Sequence, residues 1–174
     1  MSEKYKTYPG GTFFITLTVC GWIDVFTRSQ YAHLIVENLN YCVQYKGLRV
    51  YAWVIMSNHI HLVAGSESNL SSIIRDFKSY TSKAILSAIA ANTKESRRRW
   101  LLFMFRHYGK MKSDKREYQF WREGFHPISV DRRWFSQKVN YIHQNPVKAG
   151  IVDEPEHYVW SSAHPFSGVL LEPW

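Results

Sequence analysis

The chain has 174 residues, of which 45% are hydrophobic and 16% aromatic, with a formal net charge of +8 and a pI near 9.5. This composition suits a folded core and excludes an intrinsically disordered chain, while the cationic excess points to polyanionic partners, nucleic acid first. Two cysteines, Cys20 and Cys42, are too few and too far apart for a metal knuckle or a disulfide framework. No apolar run approaches the roughly 18–20 residues of a membrane span, and the opening residues 1–6 lack the apolar stretch of a signal peptide, so a cytoplasmic protein is expected.

Residues 13–19 are β-branched and aromatic and follow Pro9-Gly10-Gly11, which predicts a strand. Over residues 29–45, Leu34, Ile35, Leu39 and Val43 recur at helical spacing, and Gly47 ends that element. Residues 48–56 and 59–64 read as two strands of a hairpin joined through Ser57-Asn58. Asn69 or Ser71 can cap a following helix whose expected core face carries Ile73, Phe77, Tyr80, Ala84 and Ala88. In the basic stretch 95–115, the run 100–105 should anchor the segment to the body and 109–115 reads as an exposed loop. Residues 118–121 suggest a short strand. Asp131 can cap a last helix reaching about Gln144, with Pro146 expected to stop it. The order β-α-β-β-α with a further strand and helix predicts an α+β fold, a ferredoxin-like antiparallel sheet with packed helices. We expect a single domain over residues 1–174, with 158–174 as a C-terminal tail.

Two features carry chemistry. In His59-Ile60-His61, strand alternation puts both imidazoles on one face and Ile60 and Leu62 on the other. Such a pair can hold a divalent ion while leaving positions open for a phosphate oxygen, although a lone His-x-His is short and more often a half-exposed pair that binds nothing. In the last helix, Phe135, Val139 and Ile142 make the core stripe, and Trp134, Lys138, Tyr141 and Asn145 make a neighbouring one. Taken alone, Tyr141 reads as a packing residue and Asn145 as a cap before proline. Taken with the histidines, Tyr141 becomes a candidate nucleophile, since a phenol attacks poorly at neutral pH unless metal or base assists.

Longer motifs surround these residues. The segment Met56-Ser57-Asn58-His59-Ile60-His61-Leu62-Val63 resembles the histidine-hydrophobe-histidine motif of the HUH endonucleases in its transposase form. Asn140-Tyr141-Ile142-His143-Gln144-Asn145-Pro146-Val147-Lys148-Ala149-Gly150 is similar to the signature of the REP-associated tyrosine transposases, and Trp160-Ser161-Ser162-Ala163 to the short motif that follows it. The resemblance covers about residues 12–163. It implies a ferredoxin-like fold, a Mg²⁺ or Mn²⁺ cofactor, and single-stranded DNA, often with a palindromic hairpin, as substrate. It also implies that His59 and His61 hold the metal and that Tyr141 cuts the strand through a 5′-phosphotyrosine. Related insertion-sequence transposases place a glutamine ligand four residues after the tyrosine. Here that place holds Asn145, one methylene shorter, with Gln144 beside it; on a regular helix Gln144 points away from Tyr141, so Asn145 is the expected third ligand. The family holds both monomers and homodimers.

Candidate DNA contacts are Arg97, Arg98, Arg99, Lys110, Lys112, Lys115 and Arg116 in the basic stretch, Arg75 and Lys78 on the helix after the histidines, and Lys138 beside Tyr141. Trp121, Tyr118 and Trp134 can stack bases, though each also suits a core. Two other readings compete with strand cleavage: a relative that binds structured nucleic acid without cutting, and a metal hydrolase using water. The second lacks an acidic residue beside the histidines in sequence.

Overall fold

A computed structural model describes residues 6–174. The first strand, β1 (Thr12–Thr18), alternates cleanly: Phe13, Ile15 and Leu17 enter one core, while Phe14 enters a second core on the opposite face. Helix α1 (Ser29–Lys46) ends at Gly47, whose φ of 71° closes the helix in a conformation that costs glycine little. Strands β2 (Arg49–Ile55) and β3 (His59–Gly65) form the expected hairpin. A register shift between Val50 and Ala52 marks a bulge that turns Tyr51 and Ala52 to the same face. The four-stranded antiparallel sheet runs β2-β3-β1-β4, where β4 is the two-residue Ile128–Ser129. With its packed helices this is the α+β, ferredoxin-like arrangement expected from the element order.

Helix α2 (Leu70–Ala91) starts where Asn69 accepts a hydrogen bond from the Ser72 amide. Its buried stripe is Leu70, Ile73, Ile74, Phe77, Thr81, Ile85 and Ile89, rotated from the expected one. Tyr80 is 62% exposed, and Ala84 and Ala88 lie on the border, because the larger isoleucines win the interior. The basic stretch holds a helix, α3 (Arg98–Lys112), seated on Leu101, Phe105 and Gly109. The segment expected to be a loop from residue 109 thus stays helical to Lys112. Trp100 and Phe103 of the apolar run face outward. Residues 118–121 make only an isolated bridge, Trp121 to Val19, rather than a strand.

Helix α4 (Arg132–Lys148) begins where Asp131 accepts from the amides of Arg133 and Trp134. It runs past Pro146 instead of stopping before it. Proline removes its own N–H, so the Ile142 carbonyl loses its i+4 backbone donor while the helix continues; the Asn145 side-chain amide donates to the Tyr141 carbonyl at 2.6 Å.

The helices divide between the two faces. Residues of α1, α2 and α3 pack with Phe13, Ile15, Leu17, Trp53, Ile60 and Leu62. Ile142, Phe135 and Val139 of α4 pack with Phe14, Ala52, Val54 and Val63 on the other side. The tail then closes over β2: Ile55 N donates to Trp160 O at 2.9 Å, Ser162 N to Trp53 O at 2.9 Å, and Glu172 N to Val50 O at 2.8 Å. Trp174 stacks on Phe135 with ring centroids 3.9 Å apart.

Candidate metal and tyrosine site

Strand alternation and register build the site. Across β1, His59 faces Thr18, His61 faces Thr16, and Val63 faces Phe14, so the histidines lie on the face that α4 covers while Ile60 and Leu62 are buried on the other. Their ring centroids are 4.8 Å apart. Burial lowers the pKa of His59. Burial, reinforced by the neighbouring His59, pushes His61 down to about 3. Both imidazoles are therefore neutral at pH 7, the form that offers a lone pair to a metal.

Their outer partners fix which nitrogen is free. Asn58 Nδ2 donates to Asp24 Oδ1 at 2.9 Å and to the Trp22 carbonyl at 3.2 Å. This turns Asn58 Oδ1 toward His59 Nδ1, 2.8 Å away. An amide oxygen only accepts, so Nδ1 carries the proton and Nε2 keeps its lone pair. His61 Nδ1 lies 2.9 Å from the Thr16 hydroxyl, and its Nε2 is likewise free to bind when that hydroxyl accepts. The sequence reading named neither Asn58, Asp24 nor Thr16 as part of the site. Asn58 adjoins His59 in sequence, but Thr16 arrives only through the sheet register and Asp24 only through the loop before α1.

The middle of α4 brings Tyr141 over this strand pair. Its ring centroid is 5.5 Å from that of His61 and 5.6 Å from that of Phe14, edge-on to both. Phe14 stacks on His61 at 5.1 Å, so three rings share one contact. Tyr141 keeps 41% exposure, which leaves the phenol open to a substrate from solvent. Lys148 Nζ sits 5.7 Å from the Tyr141 ring centroid and Lys138 Nζ 5.1 Å from that of Phe14, so two ammonium groups flank the place where a phosphate would meet the phenol.

Among the described residues no group of three His, Cys, Asp or Glu could hold a metal. Two neutral imidazoles side by side still make a fitting donor pair for a divalent ion whose other positions go to water and phosphate oxygens. The Asn145 amide nitrogen is engaged with the Tyr141 carbonyl, which ties its carboxamide to the tyrosine's own turn. Gln144 and Asn145 are both partly buried.

The other cations divide by what already holds them. Lys78 Nζ donates to the carbonyls of Arg122 and Gly124, at 2.7 and 2.5 Å. Burial lowers its pKa to about 8. Arg97 binds Glu95, the Asp24 carbonyl and Thr27. Both side chains are already occupied within the fold. Arg75 pairs with Asp76 at 3.1 Å on the helix that covers the sheet face opposite the histidines. Lys112 and Arg116 pair with Glu123. Arg99, Lys110 and Lys115 are exposed and Arg98 half-buried. Of the stacking candidates, Trp121 is buried and donates to Thr81 Oγ1 at 3.0 Å, Tyr118 accepts from Arg106, and Trp134 is exposed on α4.

The Trp160-Ser161-Ser162-Ala163 motif holds the site from behind. Ser161 bridges to Val54, and Ser162 Oγ accepts from the Trp53 amide at 2.9 Å while lying 2.9 Å from His143 Nε2 on α4. It thereby ties the tyrosine helix to the edge of the sheet.

Comparison with known proteins agrees with these motifs. Residues 23–102 match the family model described as "Transposase IS200 like". Over 99% of this chain and 89% of the other, the fold matches a solved structure described as the REP-associated tyrosine transposase bound to a REP hairpin, with a TM-score of 0.66 and 21% sequence identity. No curated relative matches the chain. The matched range contains the His59-Ile60-His61 motif and agrees with the family resemblance that the motifs carry.

Proposed function

We propose that this chain, with the fold and family likeness just described, is a metal-dependent single-stranded DNA endonuclease and strand transferase that acts at repeat hairpins in the cytoplasm. The observation that supports this most is the ring contact of Tyr141 with His61, at 5.5 Å. It joins residues 80 positions apart in sequence. A hairpin-bound structural neighbour supports the choice of substrate.

In this reading Tyr141 Oη attacks the scissile phosphorus, the bond from phosphorus to the 3′ oxygen breaks, and a 5′-phosphotyrosine forms. The phenol loses one proton and the departing 3′ oxygen gains one, so the step balances. The diester energy is kept in the tyrosine ester, and a 3′-hydroxyl can later reverse the step onto a new strand. His59 and His61, with Asn145 as third ligand, would hold a Mg²⁺ or Mn²⁺ ion, which supplies Lewis-acid polarisation of the phosphate. Lys138 and Lys148 receive the phosphate backbone, and rigid α4 keeps the phenol in reach.

The test is a covalent protein–DNA adduct. Incubation with Mn²⁺ and the repeats flanking the gene should give a band that survives denaturant, and Tyr141→Phe should abolish it while leaving binding intact. An adduct that persists in Tyr141→Phe removes this residue from the mechanism. Salt-sensitive hairpin binding without cleavage of any strand would favour a non-cleaving nucleic-acid-binding role instead.

A further inference from the structure

We infer that Trp22 and Arg122 form a subsite for one unpaired nucleotide of the DNA strand, the indole stacking on its base and the guanidinium taking its phosphate. This inference rests on the DNA reading above and gives that site a specific place for the strand.

Trp22 is unusual in two respects. It is 55% exposed, and its φ is +55°, directly after Gly21 at +64°. Two consecutive left-handed residues are rare, and for a bulky side chain the conformation is strained. The surroundings impose it. Trp22 N donates to Val19 O at 3.2 Å and Ile23 N to Cys20 O at 3.4 Å, Asn58 Nδ2 holds the Trp22 carbonyl at 3.2 Å, and the flanking Cys20 and Ile23 are buried. A strained backbone that turns a large apolar ring toward solvent is a feature to explain by function.

Its neighbours say what the ring faces. The indole lies edge-on to His59 with centroids 5.9 Å apart, beside the proposed metal pair. Arg122 Cζ is 5.8 Å from the indole centroid. The Arg122 backbone is fixed by its amide to Thr18 O at 2.8 Å and its carbonyl to Lys78 Nζ at 2.7 Å. Among the described residues no carboxylate pairs with Arg122, whereas Arg116 and Lys112 nearby share Glu123. An exposed aromatic face with an unpaired guanidinium beside it suits a base and its phosphate together. Stacking tolerates any base, so this subsite positions the strand without reading its sequence.

The test uses the full chain carrying Tyr141→Phe, without metal, so that neither cleavage nor metal binding enters. The probes are the flanking-repeat hairpin with a single-stranded extension, 2-aminopurine being placed at successive positions, and the same hairpin without the extension. One position of the extension should be quenched on binding. Trp22→Asn removes the ring but tolerates the left-handed backbone. It should abolish that quenching and weaken binding of the extended hairpin about ten-fold or more, leaving the bare hairpin unaffected. Trp22→Phe should restore most of both. Arg122→Gln should weaken binding and lower the salt slope by about one. The inference is overturned if Trp22→Asn binds and quenches like the parent, or if the parent quenches at no position. An absent adduct in the unmodified chain, with this quenching intact, would sink the cleavage reading alone.

Discussion

Replacing Asn58 with alanine tests whether the histidines are pre-set for metal. The change removes the 2.8 Å contact to His59 Nδ1 and the donors to Asp24 and the Trp22 carbonyl. It keeps the backbone carbonyl that accepts from Val19 at 2.9 Å. These are partly exposed hydrogen bonds, so the folded state should lose only about 1–2 kcal/mol. Metal binding should suffer more: without Oδ1 the His59 ring can rotate, or carry its proton on Nε2 and present no lone pair. Loss of such an outer partner weakens metal affinity about 10- to 100-fold, which corresponds to about 1.4–2.8 kcal/mol. Calorimetric titration with Mn²⁺, on a variant shown to be folded by circular dichroism, reads this directly. Asn58→Asp should not rescue it, because a carboxylate would face Asp24 at like charge. A folded Asn58→Ala protein that binds Mn²⁺ as tightly as the parent would refute the claim that Asn58 sets the His59 proton.

Three further outcomes follow from the packing and the charges. Burial alone would raise the Glu95 pKa, but the Arg97 backbone amide and the Arg97 and Arg28 guanidiniums outweigh it and hold the carboxyl below its usual range. Because the folded value is the lower one, this stabilisation is present above the unfolded carboxylate pKa and is lost as pH falls through the folded value. Urea melts across the acid range should show that slope in the parent, and Glu95→Gln should flatten it. Gly109→Ala, ordinarily a gain inside a helix, should cost about 1–3 kcal/mol, because the new Cβ would lie 2.8 Å from Arg116 O and 2.9 Å from Glu117 O; a higher melting temperature would contradict that packing. Lys138→Gln should leave thermal stability unchanged and lower the salt slope of DNA binding by about one, and an unaltered slope would remove Lys138 from the strand's path.

The strands were readable in the sequence because residues 13–19 are β-branched and aromatic after Pro9-Gly10-Gly11 and because a short turn joins 48–56 to 59–64, and side chains along any strand alternate between its faces. The same alternation placed His59 and His61 on one face. Three features escaped. Trp100, Leu101, Leu102, Phe103, Met104 and Phe105 form a continuous apolar run with no period, so the stripe of Leu101, Phe105 and Gly109 that seats α3 stays hidden. Pro146 reads as a stop, yet the helix runs through it to Lys148. The charge of Lys78 says nothing of the two carbonyls that occupy it. Partners distant in sequence decide where α3 seats and what holds Lys78, and residue spacing carries no information about them.

The tail described above has a consequence for the molecule's social behaviour. An outer strand normally exposes a ladder of unsatisfied peptide groups, onto which another polypeptide can add in the manner of amyloid growth. Here the amides or carbonyls of Val50, Trp53 and Ile55 are already spoken for by residues 160–172, and the opposite margin is only two residues long. Trimming the chain before residue 160 should therefore open that ladder and make the protein prone to sticking to itself, besides removing the Ser162 tie to His143 on α4.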